Sequence, residues 1–297
     1  MKAACAALLA ATLFATQAVA DDEEMIDKRL AADPAGEVEV SNVAGSVNVS
    51  GWDRAEVHVS GELGSGVERL VFESSGKRTV VKVMLKKGYH RGGNGETDLN
   101  IRVPKGSRLD VNTVSAEIIA QDVTGAQRLQ SVSGDISTET SAEADLKTVS
   151  GTISLRGNGQ SSQLDLTTVS GDAVVTRIAG EVTVSTVSGS LELSLDKLTR
   201  AKLRTTSGDL SVSARLDPNA RIDAETISGQ LTLDFKGGVD AQIEAESFSG
   251  DIESCSGPKA KSTQEYGPGS ELRYTEGKGT GRISVSSLSG DINLCTR

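Results

Sequence analysis

The chain has 297 residues, a formal net charge of −10 and only one Trp, three Tyr and four Phe. A globular core of this size normally uses more aromatic residues, whereas the thin interior of stacked short strands can be filled by Val, Ile and Leu. The acidity argues against general nucleic-acid binding, and abundant Gly with five Pro is a poor fit to disorder.

Residues 1–20 have the organisation of a secretory signal peptide. Lys2 supplies the positive start, residues 6–15 are apolar, and Ala18-Val19-Ala20 is a small-x-small cleavage site. The apolar stretch is too short to span a membrane, and no later segment is apolar enough to do so. We therefore expect an exported chain without a transmembrane segment, and a loose acidic lead-in over residues 21–36.

Residues 37–112 predict an irregular β section that caps the part that follows. Val38 and Val40 begin an alternation of apolar and polar residues, which is the period of a half-buried strand. A Gly-rich loop from Gly88 to Gly95 separates two further strand patterns. The sequence has no convincing amphipathic helix.

One short phrase recurs down the rest of the chain, in steps of 17–21 residues up to its eighth copy and of 40 residues to its ninth. The copies are TVSAEI at 113–118, SVSGDI at 131–136, TVSGTI at 148–153, TVSGDA at 168–173, TVSGSL at 186–191, TTSGDL at 205–210, TISGQL at 226–231, SFSGDI at 247–252 and SLSGDI at 287–292. A period near 20 residues with strand composition predicts an all-β fold, a β-solenoid with one coil per repeat. The regular repeats occupy residues 113–297 of a single domain, residues 37–297.

The spacing of apolar residues predicts which side chains face the core. Two-residue steps indicate strand, and a three-residue step within each phrase indicates a corner or a bulge. This reading places the second residue of the phrase inside, namely Val149, Val169, Val187 and Ile227. It places the first residue outside, namely Thr148, Thr168, Thr186, Thr205 and Thr226.

The same reading places the serines of the phrase in one outward column. They are Ser133, Ser150, Ser170, Ser188, Ser207, Ser228 and Ser249. The next outward column alternates Asp with neutral residues, which keeps carboxylates about two coil spacings of ~4.8 Å apart and weakens their repulsion. Two interpretations stay open: the face is simply solvated, or it is a flat polar ladder for a repetitive ligand such as a glycan.

The phrase at this period resembles the bacterial "putative adhesin" family of exported β-strand-repeat proteins, which is largely of unknown function. The section Gly45–Asp53 is similar to the usual opening of that family, and Ser289–Leu294 is similar to its ending. The resemblance covers roughly residues 37–297. It implies a β-helix-like architecture, an envelope location, and either adhesion or a part in envelope-stress signalling, with no catalytic residues to transfer.

Residues that could carry catalysis or hold a metal are scarce. The two histidines, His58 and His90, are too few for the ligand cluster of a zinc or copper site. No G-x-S-x-G motif is present. Counting does not exclude a carboxylate pair for glycoside hydrolysis, but the chain lacks the aromatic platforms that such enzymes carry. We expect no enzymatic activity, no cofactor and no metal.

A basic segment stands out in this acidic chain. Residues 77–108 contain nine Lys or Arg against two acidic residues, a net charge of +7. One interpretation is a polyanion-binding patch for lipopolysaccharide or teichoic-type phosphates. Its candidate residues are Lys82, Lys86, Lys87 and Arg91. The other interpretation is an ordinary solvated pair of strands.

Cys255 and Cys295 lie five residues after Gly250 and Gly290, so they occupy equivalent positions in two coils. A disulfide needs Cα atoms within about 7 Å, which only adjacent coils, about 4.8 Å apart, provide. The 40-residue step allows one coil with an insertion or two coils. Because residues 256–282 contain no copy of the phrase, we predict an inserted hairpin there, a Cys255–Cys295 disulfide, and an exposed final strand that the disulfide pins.

Together these features predict an exported cell-envelope interaction protein, an adhesin-like repeat module that binds a surface polymer or protein in the periplasm or at the cell surface. The alternative is a periplasmic regulatory component of envelope-stress signalling that acts on a membrane partner. A polysaccharide-active enzyme is the third hypothesis. The sequence does not indicate the ligand, the handedness of the solenoid or the oligomeric state.

Overall fold

The computed structural model describes residues 24–87, 95–263 and 268–296, and the regular structure of this part is entirely β-strand. The expected signal peptide, Arg91, His90 and most of the Gly-rich loop lie outside the described residues. The prediction of an all-β solenoid is confirmed. Within the described residues no helix is long and apolar enough to cross a membrane.

The strands fall into three groups along the chain. The strands before the regular repeats are β1 (Glu24–Ala31), β2 (Glu37–Asn42), β3 (Ala44–Trp52), β4 (Glu56–Leu63), β5 (Val67–Ser75), β6 (Arg78–Leu85) and β7 (Glu96–Pro104). The regular repeats contain β8 (Arg108–Thr113), β9 (Glu117–Gln121), β10 (Gln127–Ser131), β11 (Ile136–Thr140), β12 (Ala144–Thr148), β13 (Ile153–Gly157), β14 (Ser161–Thr168), β15 (Ala173–Thr176), β16 (Ala179–Thr186), β17 (Leu191–Thr205), β18 (Leu210–Thr226) and β19 (Leu231–Lys236). The C-terminal group contains β20 (Ala241–Ser247), β21 (Ile252–Ser254), β22 (Lys261–Ser262), β23 (Ser270–Glu276), β24 (Gly281–Ser287) and β25 (Ile292–Thr296).

Each coil places one strand in each of two parallel stacks. We call the stack of strands that enter the repeated phrase sheet A. It includes the consecutive neighbours β8, β10, β12, β14 and β16. The strands that leave the phrase form sheet B, which begins β9, β11, β13 and β15. The long strands β17 and β18 contribute their first halves to sheet B and their second halves to sheet A.

The core is a narrow column of aliphatic side chains in register between coils. In sheet A, Leu146, Leu166, Val184, Leu203 and Ala224 are consecutive partners in neighbouring strands. Each of these residues is exposed by 1% or less. Apolar burial at roughly 25 cal/mol per Å² is thus distributed along the stack, which explains how the chain folds with so few aromatic residues.

The order of coils in space departs from chain order at the N-terminal end. The coil of β2 and β3 lies between the coil of β6 and β7 on one side and that of β8 and β9 on the other. The antiparallel strands β1, β4 and β5 cover the outer strands of this end. The section that the sequence indicated to be irregular therefore contains two regular coils and an antiparallel cap.

The expectation of a loose lead-in was wrong for residues 24–31. They form β1, which pairs antiparallel with β4 along its whole length. Ile26 is the reason, because it is the one residue of β1 that packs into the core, where it is 5% exposed. A single inward side chain gives no periodic signal in the sequence.

The same exchange of order occurs at the C-terminal end. The coil of β24 and β25 is inserted between the coil of β18 and β19 and that of β20 and β21. The last coil of the chain is thus the last but one in space, and the edge of β20 is covered by the antiparallel β23 of the inserted segment. One coil with an insertion is confirmed, but the expected exposed final strand was wrong, because β25 is paired on both sides.

The cysteines lie where this stacking places them. Cys255 and Cys295 form a disulfide, with their Cα atoms 5.1 Å apart. The backbone N–H of Cys255 also donates to the carbonyl of Leu294 at 3.1 Å. The disulfide therefore links the two adjacent C-terminal coils, as the equivalence of the two positions predicted.

The predicted direction of side chains at the corner was wrong. Val149, Val169, Val187 and Ile227 are 42–52% exposed, whereas the threonine before each of them is buried, at 1–6% exposure. The physical reason is a hydrogen bond: most of the inner hydroxyls accept the N–H of the corner glycine, which a valine would leave unpaired. The three-residue step lies between this hydroxyl residue and the glycine, two residues later than the sequence indicated.

This correction predicts that truncation of two nearby valines to Ala destabilises the protein to very different extents. Val184→Ala removes a side chain that is fully buried, so we expect a loss of about 1–3 kcal/mol in the free energy of unfolding. Val187→Ala removes an exposed side chain and should change stability by no more than about 0.5 kcal/mol. Urea unfolding of both variants measures the difference, and an equal loss in the two would restore the original register.

The turn that leads into the inserted last coil depends on Asp240. Its carboxylate accepts the backbone N–H of Thr280 at 3.1 Å. This bond is the largest cause that holds the pKa of Asp240 below its ordinary value of 3.8, and the backbone N–H groups of Lys278 and Gly279 lower it further. The ionised carboxylate thus stabilises the entry to the last coil.

We predict a pH-dependent loss on Asp240→Asn. Because the pKa is lowered in the folded state, the stabilisation is fully present above pH 3.8 and is lost as the pH falls below 3.8. The wild-type protein should therefore be more stable than the variant at about pH 6, with the gap closing towards about pH 3. Urea midpoints test this, with Asp196→Asn as the control, because the exposed carboxylate of Asp196 has no hydrogen bond or ion pair within the described residues; a gap independent of pH would contradict the prediction.

Candidate functional site

The repeated phrase forms a corner between sheets A and B, and these corners stack into one edge of the solenoid. We call this edge the repeat corner; in each coil it runs from the inner hydroxyl residue to the residue after the glycine. In spatial order its nine copies begin at Thr113, Ser131, Thr148, Thr168, Thr186, Thr205, Thr226, Ser287 and Ser247. The last two are in reverse chain order because the final coil is inserted.

A buried hydroxyl organises each corner. The Oγ1 of Thr148 accepts the N–H of Gly151 at 3.0 Å, and the Oγ of Ser287 accepts that of Gly290 at 2.7 Å. Four other corners make the same bond, those of Ser131, Thr168, Thr205 and Ser247. Leaving such a backbone donor unpaired in the interior costs about 1–3 kcal/mol, so this position selects Thr or Ser.

The corners touch through their backbones. A Cβ added to Gly290 would lie 1.9 Å from the carbonyl oxygen of Gly229, and one added to Gly151 would lie 2.1 Å from that of Gly134. Any side chain at these glycines would force the coils apart. The close stacking therefore holds equivalent side chains of successive corners about one strand spacing, ~4.8 Å, apart.

The predicted serine ladder lies on the outside and also contributes to the stacking. The N–H of Ser170 donates to the carbonyl of Val149 at 2.9 Å, and its Oγ reaches the same carbonyl at 3.3 Å. The same hydroxyl contact recurs at Ser150, Ser188, Ser207, Ser228, Ser249 and Ser289. The serine oxygens remain accessible as hydrogen-bond acceptors for a ligand, while their protons are directed along the stack.

The alternating aspartates bridge pairs of coils. The Oδ1 of Asp172 accepts the N–H of Ser190 at 2.7 Å, and Asp209 accepts that of Gln230 at 2.9 Å. Asp135 and Asp291 make equivalent bonds to Thr152 and Asp251. One carboxylate thus serves two coils, and the inserted coil keeps this pattern because Asp291 follows Gln230 in space.

An exposed apolar ridge runs along the whole corner, formed by the second residue of each phrase. In spatial order its members are Val114, Val132, Val149, Val169, Val187, Thr206, Ile227, Leu288 and Phe248. The eight apolar members are 42–56% exposed and make up most of the exposed large hydrophobic residues of the described chain. The serine column runs directly beside this ridge.

The largest apolar side chains lie together at the C-terminal end of the ridge. Ile227, Leu288 and Phe248 belong to consecutive corners, and the exchange of coil order places Leu288 between the other two. A shallow groove of about 470 Å³ lies beside Ile227 and Leu288, with Arg204 and Glu225 on its sheet A side. The sequence, in which 40 residues separate Phe248 from Leu288, does not show that Leu288 lies between the other two.

The ridge was not predicted from the sequence, because Thr and Val are adjacent in the phrase and both are β-branched. Strand propensity therefore does not indicate which of the two faces inward. A signal was present in the variation between copies. The first position is Thr or Ser in all nine phrases, whereas the second is Val, Thr, Ile, Leu or Phe. A position limited to hydroxyl residues is one where the hydroxyl is needed, and in this fold that position is buried.

The basic segment is only partly brought together. Lys82, Lys86 and Lys87 are exposed along β6 and just beyond it, while Arg91 lies outside the described residues. The Nζ of Lys86 donates to the carbonyl of Ser65 at 2.7 Å. Other cations of the segment already have partners in the protein. Arg78 forms an ion pair with Glu39 and Lys105 with Asp53, and Arg102 lies over the ring of Trp52.

The one histidine in the described residues, His58, contacts side chains of neighbouring strands. The Nε2 of His58 lies 2.8 Å from the Oδ1 of Asp27, and its ring stacks on Trp52 with centroids 6.1 Å apart. Across residues 24–87, 95–263 and 268–296, no group of three or more His, Cys, Asp or Glu could hold a metal ion.

Solved structures are similar to this chain at low identity. A "Putative lipid binding protein" from Parabacteroides distasonis ATCC 8503 is 15% identical, with a TM-score of 0.51 over 92% of this chain and 98% of that chain. A "putative adhesin" from the same organism is 10% identical over 92% and 98%, with a TM-score of 0.46. A "putative adhesin" from Parabacteroides merdae ATCC 43184 is 11% identical over 93% and 100%, with a TM-score of 0.32. At these identities the likeness concerns the fold alone.

No similar protein was found among the curated proteins. Residues 36–295, however, match the family described as Toastrack DUF4097, which covers both sheets and both exchanged ends. The match agrees with the resemblance that the phrase itself suggested. The chain belongs to the Toastrack DUF4097 family.

Proposed function

We propose that this protein is an exported, non-catalytic interaction module of the cell envelope that binds an extended polysaccharide along the repeat corner. The observation that supports it is the apolar ridge, which runs through nine stacked corners beside the serine column. The secretory character of residues 1–20 supports a location in the periplasm or at the cell surface.

The ridge is not required by the fold. Thr206 occupies the same position in its coil, and its backbone accepts the N–H of Ser228 at 2.8 Å just as Val187 accepts that of Ser207. A polar residue is therefore compatible with the corner, yet eight of the nine copies are apolar. Contiguous exposed apolar surface of this kind marks an interaction site. Strand propensity does not explain it, because Leu288 is not β-branched.

The surface matches a sugar chain in both chemistry and repeat. Methyl groups line one column, accessible hydroxyl oxygens line the next, and both advance by about 4.8 Å per coil over a total of about 38 Å. Sugars likewise present C–H surfaces beside hydroxyl groups. The neighbouring carboxylates of Asp135, Asp172 and Asp209 disfavour a polyanion at this edge. We therefore infer a neutral polysaccharide or one that contains amino sugars.

We predict that polar substitution of the ridge weakens this binding without unfolding the protein. In the triple variant Val149→Thr, Val169→Thr and Val187→Thr the shape at each position is kept and one methyl is replaced by a hydroxyl. Co-sedimentation with insoluble envelope polysaccharide should fall by at least about tenfold if each position loses roughly 0.5 kcal/mol. Val174→Thr is the matched control, because Val174 is 43% exposed on the outside of sheet B.

Two results would contradict this proposal. Retention of polysaccharide binding by the triple variant would mean that the ridge is not the contact surface. Capture of a single membrane protein by the wild-type ridge, with no polysaccharide bound, would favour the alternative role as a regulatory component that acts on a membrane partner.

The basic segment supports a separate proposal of polyanion binding. Lys82, Lys86 and Lys87 form an exposed cationic group on an otherwise acidic chain, and Arg91 follows in the same segment. Lys82→Ala, Lys86→Ala and Lys87→Ala together should weaken binding to lipopolysaccharide, and the wild-type binding should decline steeply with added salt. Binding that is indifferent to both changes would leave this segment as a solvated surface.

A further inference from the structure

Three arginines stack in one column on the outer surface of sheet A. Arg200 of β17 is the direct partner of Arg221 of β18, and Arg221 is the direct partner of Arg282 of β24. Adjacent strands lie about 4.8 Å apart, so three like charges fall within about 10 Å. We call these residues the arginine column. Like charges directly opposite each other destabilise a sheet unless something compensates them.

The column exists only because the last coil is inserted. Arg282 is the direct partner of Gln242, which would be next to Arg221 if the coils stacked in chain order. The exchange of order therefore replaces a neutral neighbour of Arg221 with a third arginine. The topology builds a concentration of positive charge that chain order would have avoided.

The two outer arginines have ion-pair partners, whereas the central one has none among the described residues. The Nη1 of Arg200 lies 2.8 Å from both carboxylate oxygens of Glu181. Arg282 reaches Glu244 at 3.3 Å on the other side. Within the described residues Arg221 makes no ion pair within 4.0 Å, although it stands between two guanidinium groups.

A groove runs across this column. It has a volume of about 380 Å³ and is lined by Arg200, Lys202, Arg221, Asp223, Arg282 and Ser284. Lys202 also makes no ion pair in the described part of the chain. The groove thus contains four cationic side chains against the single carboxylate of Asp223, and Ser284 adds a hydroxyl at its edge.

We propose that this groove binds a phosphate-type oxyanion, with Arg221 as its central donor. A guanidinium offers two parallel N–H groups that match a phosphate, and such charge-assisted bonds are about twice as strong as neutral ones. The bound anion neutralises the charge of Arg221, which has no ion-pair partner among the described residues. Asp223 opposes the anion and limits its affinity.

This site is independent of the ridge. Arg200 and Arg204 lie on the same strand, and Thr205, where the repeat corner begins, comes only after Arg204. The phosphate could belong to a lipid headgroup, to a polymer or to a small solute, since all three present the same chemistry. The test uses small anions and vesicles, so its failure would leave the polysaccharide proposal intact.

Isothermal titration calorimetry with inorganic phosphate and pyrophosphate tests the site at low salt. Arg221→Gln should weaken pyrophosphate binding by at least about tenfold, since it removes a charge-assisted bond. Asp223→Asn should tighten binding. Arg156→Gln is the matched control, because Arg156 is an exposed arginine of sheet B outside the groove, and it should bind as the wild type does.

Thermal unfolding gives a second readout, in which the substitution should weaken the effect of the anion but not the stability of the free protein. Without anion, Arg221→Gln should be at least as stable as the wild type, because like-charge repulsion is relieved. With pyrophosphate, the melting temperature of the wild type should rise while that of the variant stays unchanged. A variant that is less stable without anion would show Arg221 to be structural and would overturn the proposal.

Vesicles that contain phosphatidylglycerol distinguish the sources of the phosphate. Vesicle binding that depends on Arg221 would assign the site to lipid headgroups, whereas binding of pyrophosphate alone would assign it to a solute or polymer. If the wild-type protein binds neither anion nor vesicle, or if Arg221→Gln binds as tightly as the wild type, the proposal is wrong.

Discussion

The hydrogen bond between a buried hydroxyl and the N–H of the corner glycine is the interaction on which the rest of this structure depends. At Thr148 and Gly151 it satisfies a backbone donor where the chain passes from sheet A to sheet B. Because the glycine has no side chain, the next coil can approach until backbone touches backbone. Every other property of the repeat corner, including its outward columns, follows from this close stacking.

The similarity of the stacked corners permits the exchange of coil order at both ends. Since all corners present nearly identical surfaces, a coil can stack on any other, and the chain uses this freedom to bury its last strand. β25 is paired on both sides and β23 covers the edge of β20. Unpaired strand edges invite aggregation, so the pairing of these edges protects the chain from it.

The two proposed sites originate from the corner and from the exchange. The apolar ridge exists because the buried hydroxyl directs the next side chain outward, and the inserted final coil sets the order of its last three members, Ile227, Leu288 and Phe248. The arginine column owes its third member, Arg282, to the same insertion. Stacking in chain order would have given a ridge of the same length but only two adjacent arginines, because Gln242 would have followed Arg221.

The solenoid, the inserted segment and the Cys255–Cys295 disulfide could be predicted because periodicity and equivalent positions are encoded directly in the sequence. The direction of Val187 could not, because apolar spacing alone does not reveal that Thr186 is held inside by hydrogen bonding. The spatial order of the coils was also hidden, since near-identical phrases carry no label for their neighbours. The ridge depends on the first of these hidden features, and the arginine column depends on the second.

Cross-linking of paired cysteines tests the exchanged stack most directly. In a chain with Cys255→Ser and Cys295→Ser, the account predicts that Ser228→Cys with Ser289→Cys forms a disulfide, since these corners are adjacent and the N–H of Ser289 donates to the carbonyl of Ile227 at 2.8 Å. Ser228→Cys with Ser249→Cys should not, because two coil steps separate them by about 9.6 Å. Cross-linking of the second pair and not the first would contradict the account.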